Sequence, residues 1–225
     1  VVGLCQHHVV LALGFPLAAQ GAPQVSYPVN DMNSDSPQLY LASASPRRRE
    51  LLTQLGYRFA ILKVDVPAVH QPGEHAADYA RRLACAKAEA GWLACDGSLP
   101  VLGSDTIVVL DDVVLEKPVD EADASRMLAA LSGREHQVMT AVALATAGGI
   151  FCQLVSTNVT FRVLSAAEIA AYWQTGEPVD KAGAYGIQGT AGAFVEHLAG
   201  SYSGVMGLPL YDTLALLRRF NPAFI

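Results

Sequence analysis

Charge is scarce in this chain. Only 16% of its 225 residues are Asp, Glu, Lys or Arg, and 15 basic residues face 21 acidic ones, a net charge of −6. That balance excludes a general nucleic-acid binder or an anionic-membrane binder, and no interleaving of basic and aromatic residues argues otherwise. Cysteine is nearly absent. Cys5, Cys85, Cys95 and Cys152 show neither CxxC nor zinc-ligand spacing, which excludes a disulfide framework and leaves buried or incidental thiols in a reducing compartment, with a cytoplasmic location as the expectation. The phosphate loops GxGxxG and GxxxxGK[ST] are missing too, so neither a Rossmann nor a P-loop site is expected.

The first 31 residues lack Lys and Arg altogether and hold one acid, Asp31. Their apolar run, Val9 to Ala19, is interrupted by Gly14 and Pro16 and is too short to span a bilayer. Ala19-Gln20-Gly21-Ala22 resembles a signal cleavage site, but the basic segment that should precede it is missing. Residues 1–31 are therefore expected to be a disordered extension or a mis-assigned start, and 32–225, beginning at Met32, a single domain. At 52% hydrophobic, that length can bury a sizeable core.

The segment LYLASASPRRRELLTQL (39–55) is the most informative one present. An apolar run stops at Ser43 and Ser45. Pro46, Arg47, Arg48 and Arg49 follow, and then Leu51, Leu52 and Leu55 recur at helical spacing up to Gly56. Ser45 reads as an N-cap and Pro46 as the first helical residue, so a strand turns into a helix N-terminus. Free N–H groups, hydroxyls and guanidinium groups converge there, which suits an oligoanion. A solvated basic helix start is the plainer alternative. Against it, three cations opposing the helix dipole cost about 0.3–1 kcal/mol each unless an anion compensates, and three of the 15 basic residues are concentrated here.

Downstream, strands and helices alternate. Strands are predicted at 39–42, 57–64, 101–110, 113–115, 137–145, 151–164 and 194–198, with Gly148-Gly149 turning a long hairpin. Helices are predicted at about 46–55, 75–90, 121–131, 165–174 and 209–219; Asp120 caps the third, and Ser165 with Glu168 forms a capping box on the fourth. The last is expected to face Leu214, Leu217 and Phe220 inward. The fold class that follows is α/β, with a mixed twisted sheet, flanking helices and two lobes around a central cleft.

Three further clusters carry chemistry. Asp105 interrupts an apolar strand (VLGSDTIVVL), where a carboxylate is costly to bury unless a metal, base or water partner requires it; backbone hydrogen bonding is the alternative. Glu116-Lys117-Pro118 ends the next short strand and is weak by itself. In DKAGAYGIQG (180–189), three glycines permit close backbone approach, and the Gln188 amide suits a base edge, although a turn-stabilising role is open to it as well. GSYSG (200–204) reads as a mobile loop or a second phosphate contact.

In this order, SxSPRR, GSDT, EKP, SGREHQVMTAVAL, DKAGAYGIQG and GSYSGVMGLPL resemble the Maf family of nucleoside triphosphate pyrophosphatases from about Leu39 to Asn221. The GIQG segment is similar to the branch acting on dTTP and UTP rather than on 7-methyl-GTP. The resemblance implies hydrolysis of the α–β phosphoanhydride with a divalent cation, Mg²⁺ or Mn²⁺, and a homodimer. It implies that Asp105 is the catalytic proton acceptor. Arg47, Thr106 and Gln188 would set pyrimidine selectivity, and Ser43, Ser45, Arg48, Lys87 and Lys117 would line the phosphate site. Relatives of this kind carry a D-x-D-E run where this chain has Asp65-Val66-Pro67-Ala68. Asp65, Glu74 or Glu116 would then substitute, with Asp105 and Glu116 as the expected metal ligands, or else the metal is held more weakly. House-cleaning of modified nucleotides and a link to cell-division arrest go with the dTTP/UTP expectation; the alternatives are a 7-methyl-GTP or broad modified-nucleotide pyrophosphatase, and a catalytically weak nucleotide binder regulating septum formation.

Overall fold

The structure, a computed structural model, describes residues 36–221; the expectation for residues 1–31 lies outside them. Its centre is one seven-stranded mixed sheet: β1 (Leu39–Leu41), β2 (Phe59–Ile61), β3 (Val101–Leu110), β4 (Val113–Leu115), β5 (Glu135–Thr146), β6 (Gly149–Phe161) and β7 (Val195–Ala199). The order is β2-β1-β3-β5-β6-β7, with β4 folded back onto β3. β1 pairs parallel with β2 and β3, and every other pairing is antiparallel.

Six helices flank it: α1 (Pro46–Gln54), α2 (Ala76–Leu93), α3 (Glu121–Leu131), α4 (Ala166–Trp173), α5 (Tyr202–Met206) and α6 (Leu210–Phe220). The predicted α/β class, with its mixed sheet and flanking helices, is the observed one. The capping expected of α3 and α4 holds: Asp120 accepts from the Asp123 N–H, and Ser165 with Glu168 closes a capping box. Two expectations need correction. β2 covers three residues instead of eight, because its sole partner, β1, is itself three residues long. GSYSG is no loose loop: Ser201 caps α5 by accepting from the Gly204 N–H.

Hydrophobic burial organises the core into three clusters. Leu39, Leu41, Leu51, Leu52 and Leu217 join β1 to α1 and α6. Tyr79, Leu83, Ala84 and Ala88 lay α2 on Ile107 and Val109 of β3. Leu128, Phe161, Tyr172 and Tyr185 close α3, α4 and the 182–194 segment over the far end of the sheet. No helix among the described residues is long and apolar enough to cross a membrane.

One consequence of the strand order positions the site. β1 pairs with β3 only at Val101 and Leu102, while β4 pairs with β3 only from Val108 to Leu110. Since β5 covers the other edge of β3, β1 and β4 share one edge, and the stretch 103–107 between them has no strand partner there. The sheet opens where Asp105 and Thr106 sit.

Candidate active site

A cavity of about 600 Å³ occupies that opening. Ser43, Ser45, Arg47, Arg48, Lys87, Asp105, Thr106, Glu116, Lys117 and Gln188 all line it, so these ten residues singled out from the sequence meet at one place, while Arg49, Asp65 and Glu74 do not. Five of the lining side chains are cationic (Arg47, Arg48, Lys87, Lys117, Lys181) and three are carboxylates (Asp105, Glu116, Asp180). The volume is that of an ordinary ligand cleft, and the charge favours an anion.

The site grows out of local structure. β1 delivers Ser43 and Ser45 to the N-terminus of α1, where Ser45 occupies the N-cap position with extended backbone and Pro46 is at N1. The capping itself is not as expected: the Ser45 hydroxyl makes no cap hydrogen bond, and its N–H donates instead to Ser43 Oγ at 3.2 Å. The Ser45 hydroxyl thus stays available to a ligand.

The three arginines differ in role. Arg47 has no hydrogen bond or ion pair among the described residues and lines the cavity. Arg48 is an organiser. Its Nε donates to the Gly207 carbonyl at 2.9 Å, one terminal nitrogen donates to Ser43 Oγ at 3.3 Å, and the other to Thr106 Oγ1 at 3.2 Å. Burial pulls its pKa below the ordinary value, with the Asp105 charge opposing and the Arg47 charge adding. Arg49 turns outward and is exposed.

The Thr106 contact extends inward with a fixed polarity. Thr140 Oγ1 donates its one proton to the Gly204 carbonyl at 2.7 Å, so the 2.9 Å contact between the two threonines has Thr106 as donor. Arg48 therefore donates to Thr106, Thr106 to Thr140, and Thr140 to Gly204. Thr106 keeps no proton for a ligand. Ser104 Oγ donates to the same Gly207 carbonyl at 3.0 Å, which fastens α5 beneath the arginine.

Asp105 is only 7% exposed. Lys87, one turn beyond Leu83 on α2, reaches its Oδ1 at 2.5 Å; among the described residues Oδ2 has no hydrogen-bond partner. This charged pair is what makes a carboxylate tolerable within an apolar strand. Glu116 arrives by the β3–β4 hairpin. Asp111 and Asp112, both at positive φ (50° and 63°), turn the chain so that Val108 faces Leu115. Tyr79, fully buried on α2, donates its hydroxyl to Glu116 Oε1 at 2.9 Å.

No group of three or more His, Cys, Asp or Glu residues suited to a metal occurs among the described residues. The donor set nevertheless fits a hard divalent cation. Asp105 and Glu116 each present a carboxylate oxygen without a hydrogen bond to the same cavity, and Mg²⁺ or Mn²⁺ is commonly held by one or two carboxylates completed by phosphate oxygens and water. The other two candidate replacements lie elsewhere. Glu74 is gripped by Arg82 at 2.6 and 2.7 Å, which holds its carboxyl down to about 2, and neither it nor Asp65 lines the cavity.

On the remaining wall, Gly189 N donates to the Gly186 carbonyl at 3.0 Å, closing a tight turn. Within it Ile187 is buried and Gln188 exposed, so one side chain anchors the turn while the next faces the cavity. Lys181, which went unassigned in the sequence, lies beside this turn. Its Nζ donates to the Glu177 carbonyl, and burial followed by the Arg47 charge lowers its pKa. Tyr79, Thr140, Tyr172 and Glu177 were likewise not singled out; each acts through a long-range hydrogen bond that no local pattern encodes.

The fold and the cavity define an α/β protein with a predominantly cationic cleft around a buried carboxylate, and comparison supplies the family. The description "Maf-like protein" matches residues 38–220, and the chain belongs to the Maf family. Among its relatives, a dTTP/UTP pyrophosphatase of Aliivibrio fischeri is 57% identical over 187 residues, 81% of this chain and 98% of the relative. A dTTP/UTP pyrophosphatase of Bordetella pertussis is 57% identical over 193 residues, 82% and 93% of the two chains. One of Yersinia pestis is 58% identical over 182 residues, 81% and 92%. A solved nucleoside-triphosphatase / dITP/XTP pyrophosphatase of Mycobacterium abscessus shares 23% identity over 55% of this chain and 73% of its own, with a TM-score of 0.39, too distant to bear on function.

Proposed function

We propose that this chain is a nucleoside triphosphate pyrophosphatase that hydrolyses dTTP and UTP to the monophosphate and pyrophosphate. The observation that carries the reading is a lysine-held carboxylate, Asp105, in a cavity lined by five cations, with the exposed amide of Gln188 in the same lining. The relatives named dTTP/UTP pyrophosphatase support the substrate class.

Arg47, Lys117 and the Ser45 hydroxyl, free of competing partners among the described residues, bind phosphate oxygens directly. Arg48 holds Ser43, Thr106 and the α5 loop in place and offers its remaining N–H groups to the same anion. Lys87 fixes the Asp105 carboxylate so that Oδ2 orients a water and takes its proton as that water attacks the α-phosphorus. The bond from the α-phosphorus to the bridging oxygen then breaks, and that oxygen leaves with pyrophosphate. A divalent cation held by Asp105, Glu116 and phosphate oxygens would supply charge neutralisation when bound. Gln188 pairs its amide with the N3–H and a carbonyl of uracil or thymine. Action in the cytoplasm, and as a homodimer, belong to the same proposal; the free thiols Cys85, Cys95 and Cys152 are in keeping with the former.

Asp105→Asn should lower turnover of UTP by a factor on the order of 10² or more while nucleotide still binds. A panel of dTTP, UTP, CTP and 7-methyl-GTP with Mg²⁺ or Mn²⁺, run on both proteins, reads this out. Near-normal turnover by the variant, or preference for 7-methyl-GTP, would refute the proposal.

A further inference from the structure

The turn that carries Gln188 is held at both ends by one pair of side chains outside the cavity. Tyr172, buried on α4, donates its hydroxyl to Glu177 Oε1 at 2.9 Å and accepts from the Gly186 N–H at 3.2 Å. The other oxygen of Glu177 accepts from the Thr190 N–H at 2.9 Å. Gly186 and Thr190 flank Ile187, Gln188 and Gly189, so the hydroxyl secures the entry and the carboxylate the exit. Neither Tyr172 nor Glu177 lines the cavity.

The fit is close. A Cβ on Gly189 would lie 2.3 Å from Glu177 Oε1 and 2.5 Å from its Cδ and Oε2, so the turn rests directly on the carboxylate. Partial burial pushes the Glu177 carboxyl up, yet the Thr190 N–H, the Tyr172 hydroxyl and the Ala191 N–H outweigh it and hold it below its ordinary range. The carboxylate is therefore met by N–H and O–H donors, while the Lys181 ammonium sits on the backbone carbonyl of Glu177. Other walls of the site are set by Arg48 and Lys87, so this clamp can move Gln188 without moving Asp105.

We propose that Tyr172 and Glu177 are positioning residues for base selection: together they fix where the Gln188 amide meets the pyrimidine. The inference rests on the reading of Gln188 as the base-recognising group. Charge and length both matter to it. Three donors converge on Glu177, the Thr190 and Ala191 N–H groups and the Tyr172 hydroxyl, whereas a glutamine offers one acceptor oxygen and turns an NH₂ towards a donor. Tyr172→Phe leaves the Gly186 N–H without its acceptor and Glu177 Oε1 without the hydroxyl.

The test measures kcat and KM for UTP and CTP with Mg²⁺, on the full chain and on Glu177→Gln, Tyr172→Phe, Gly189→Ala and Gln188→Ala. Circular dichroism confirms folding. Gly189→Ala drives a Cβ into the Glu177 carboxylate and parts the turn from it without removing either clamp side chain, which keeps the test open if Glu177→Gln does not fold. Each clamp variant should lower the UTP-over-CTP ratio of kcat/KM by about tenfold, chiefly by raising KM for UTP, and Glu177→Gln added to Gln188→Ala should lower it no further. If Gln188→Ala lowers the ratio and the folded clamp variants keep it, the clamp is refuted and the base reading stands. Equal losses for both nucleotides in the clamp variants refute it also. An unchanged ratio in Gln188→Ala removes the base reading and the clamp with it.

Discussion

His136 shows how a buried side chain outside the cavity can leave a signature in solution. It is 3% exposed on β5, with Nε2 at 2.8 Å from the Tyr185 hydroxyl and its ring edge-on to Phe161 and Tyr185. Burial holds its pKa down to about 4, the Arg134 backbone pulling the other way. An unfolded histidine titrates near about 6.5, so between those values the unfolded chain binds the extra proton. Stability from this residue is complete above the unfolded pKa and declines as pH falls towards 4, by about 2 kcal/mol at pH 5. The stability that Glu74 draws from its pKa of about 2 is complete above the ordinary carboxyl range and is lost only as pH falls from there towards 2, so it changes little between pH 7 and 5. Denaturant titrations at pH 7 and pH 5 should show the decline in the native chain and its near disappearance in His136→Gln; equal declines would contradict it. At this scale the sequence was most readable where a residue violated its surroundings. Asp105 was conspicuous among valines and leucines, and the arginines at a helix N-terminus opposed its dipole. Tyr172 and Glu177 violated nothing locally. Their partners, Gly186 and Thr190, lie 14 and 13 residues away, a relation that only the folded chain defines.

Among the elements, α2 depends on small residues. Its buried face, Tyr79, Ala80, Leu83, Ala84, Ala88 and Gly91, runs over β3, and a Cβ on Gly103 would stand 2.5 Å from the Ala84 carbonyl oxygen and 2.6 Å from the Ala88 nitrogen. Backbone atoms cannot rotate aside, so Gly103→Ala should push the helix from the strand and destabilise the chain by about 1–3 kcal/mol. Lys87 rides on that helix, and turnover should fall as well. Chemical denaturation measures the first effect, and a midpoint like that of the native chain would contradict the packing described. Elements with strong local signals were legible: the β3–β4 hairpin and α3 fall where alternation and capping place them. Those ruled by neighbours were not. The apolar run 57–64 yields three paired residues because β1 offers no more, and α5, five residues between Gly200 and Gly207, is too short for helical periodicity to reveal.

For the molecule as a whole, function follows from a break in a sheet. Strand order puts β1 and β4 on the same edge of β3 with residues 103–107 between them, and the cavity forms there. Helix α1, helix α2, the hairpin and the 180–189 segment each bring one wall. Sequence motifs supplied the inventory of that site, but not its division of labour. Arg48 and Thr106 are tied to each other and Thr106 to Thr140, while Arg47, Lys117 and Gln188 have no hydrogen bond among the described residues and face the cavity. A chain of net charge −6 thereby gathers five cations and three carboxylates around one cavity, an excess of positive charge that favours a polyanion. The identity of the bond cut is the most direct check: the products formed from UTP and Mg²⁺, resolved by anion-exchange chromatography. UMP and pyrophosphate in equal amounts are expected; UDP with orthophosphate would contradict it.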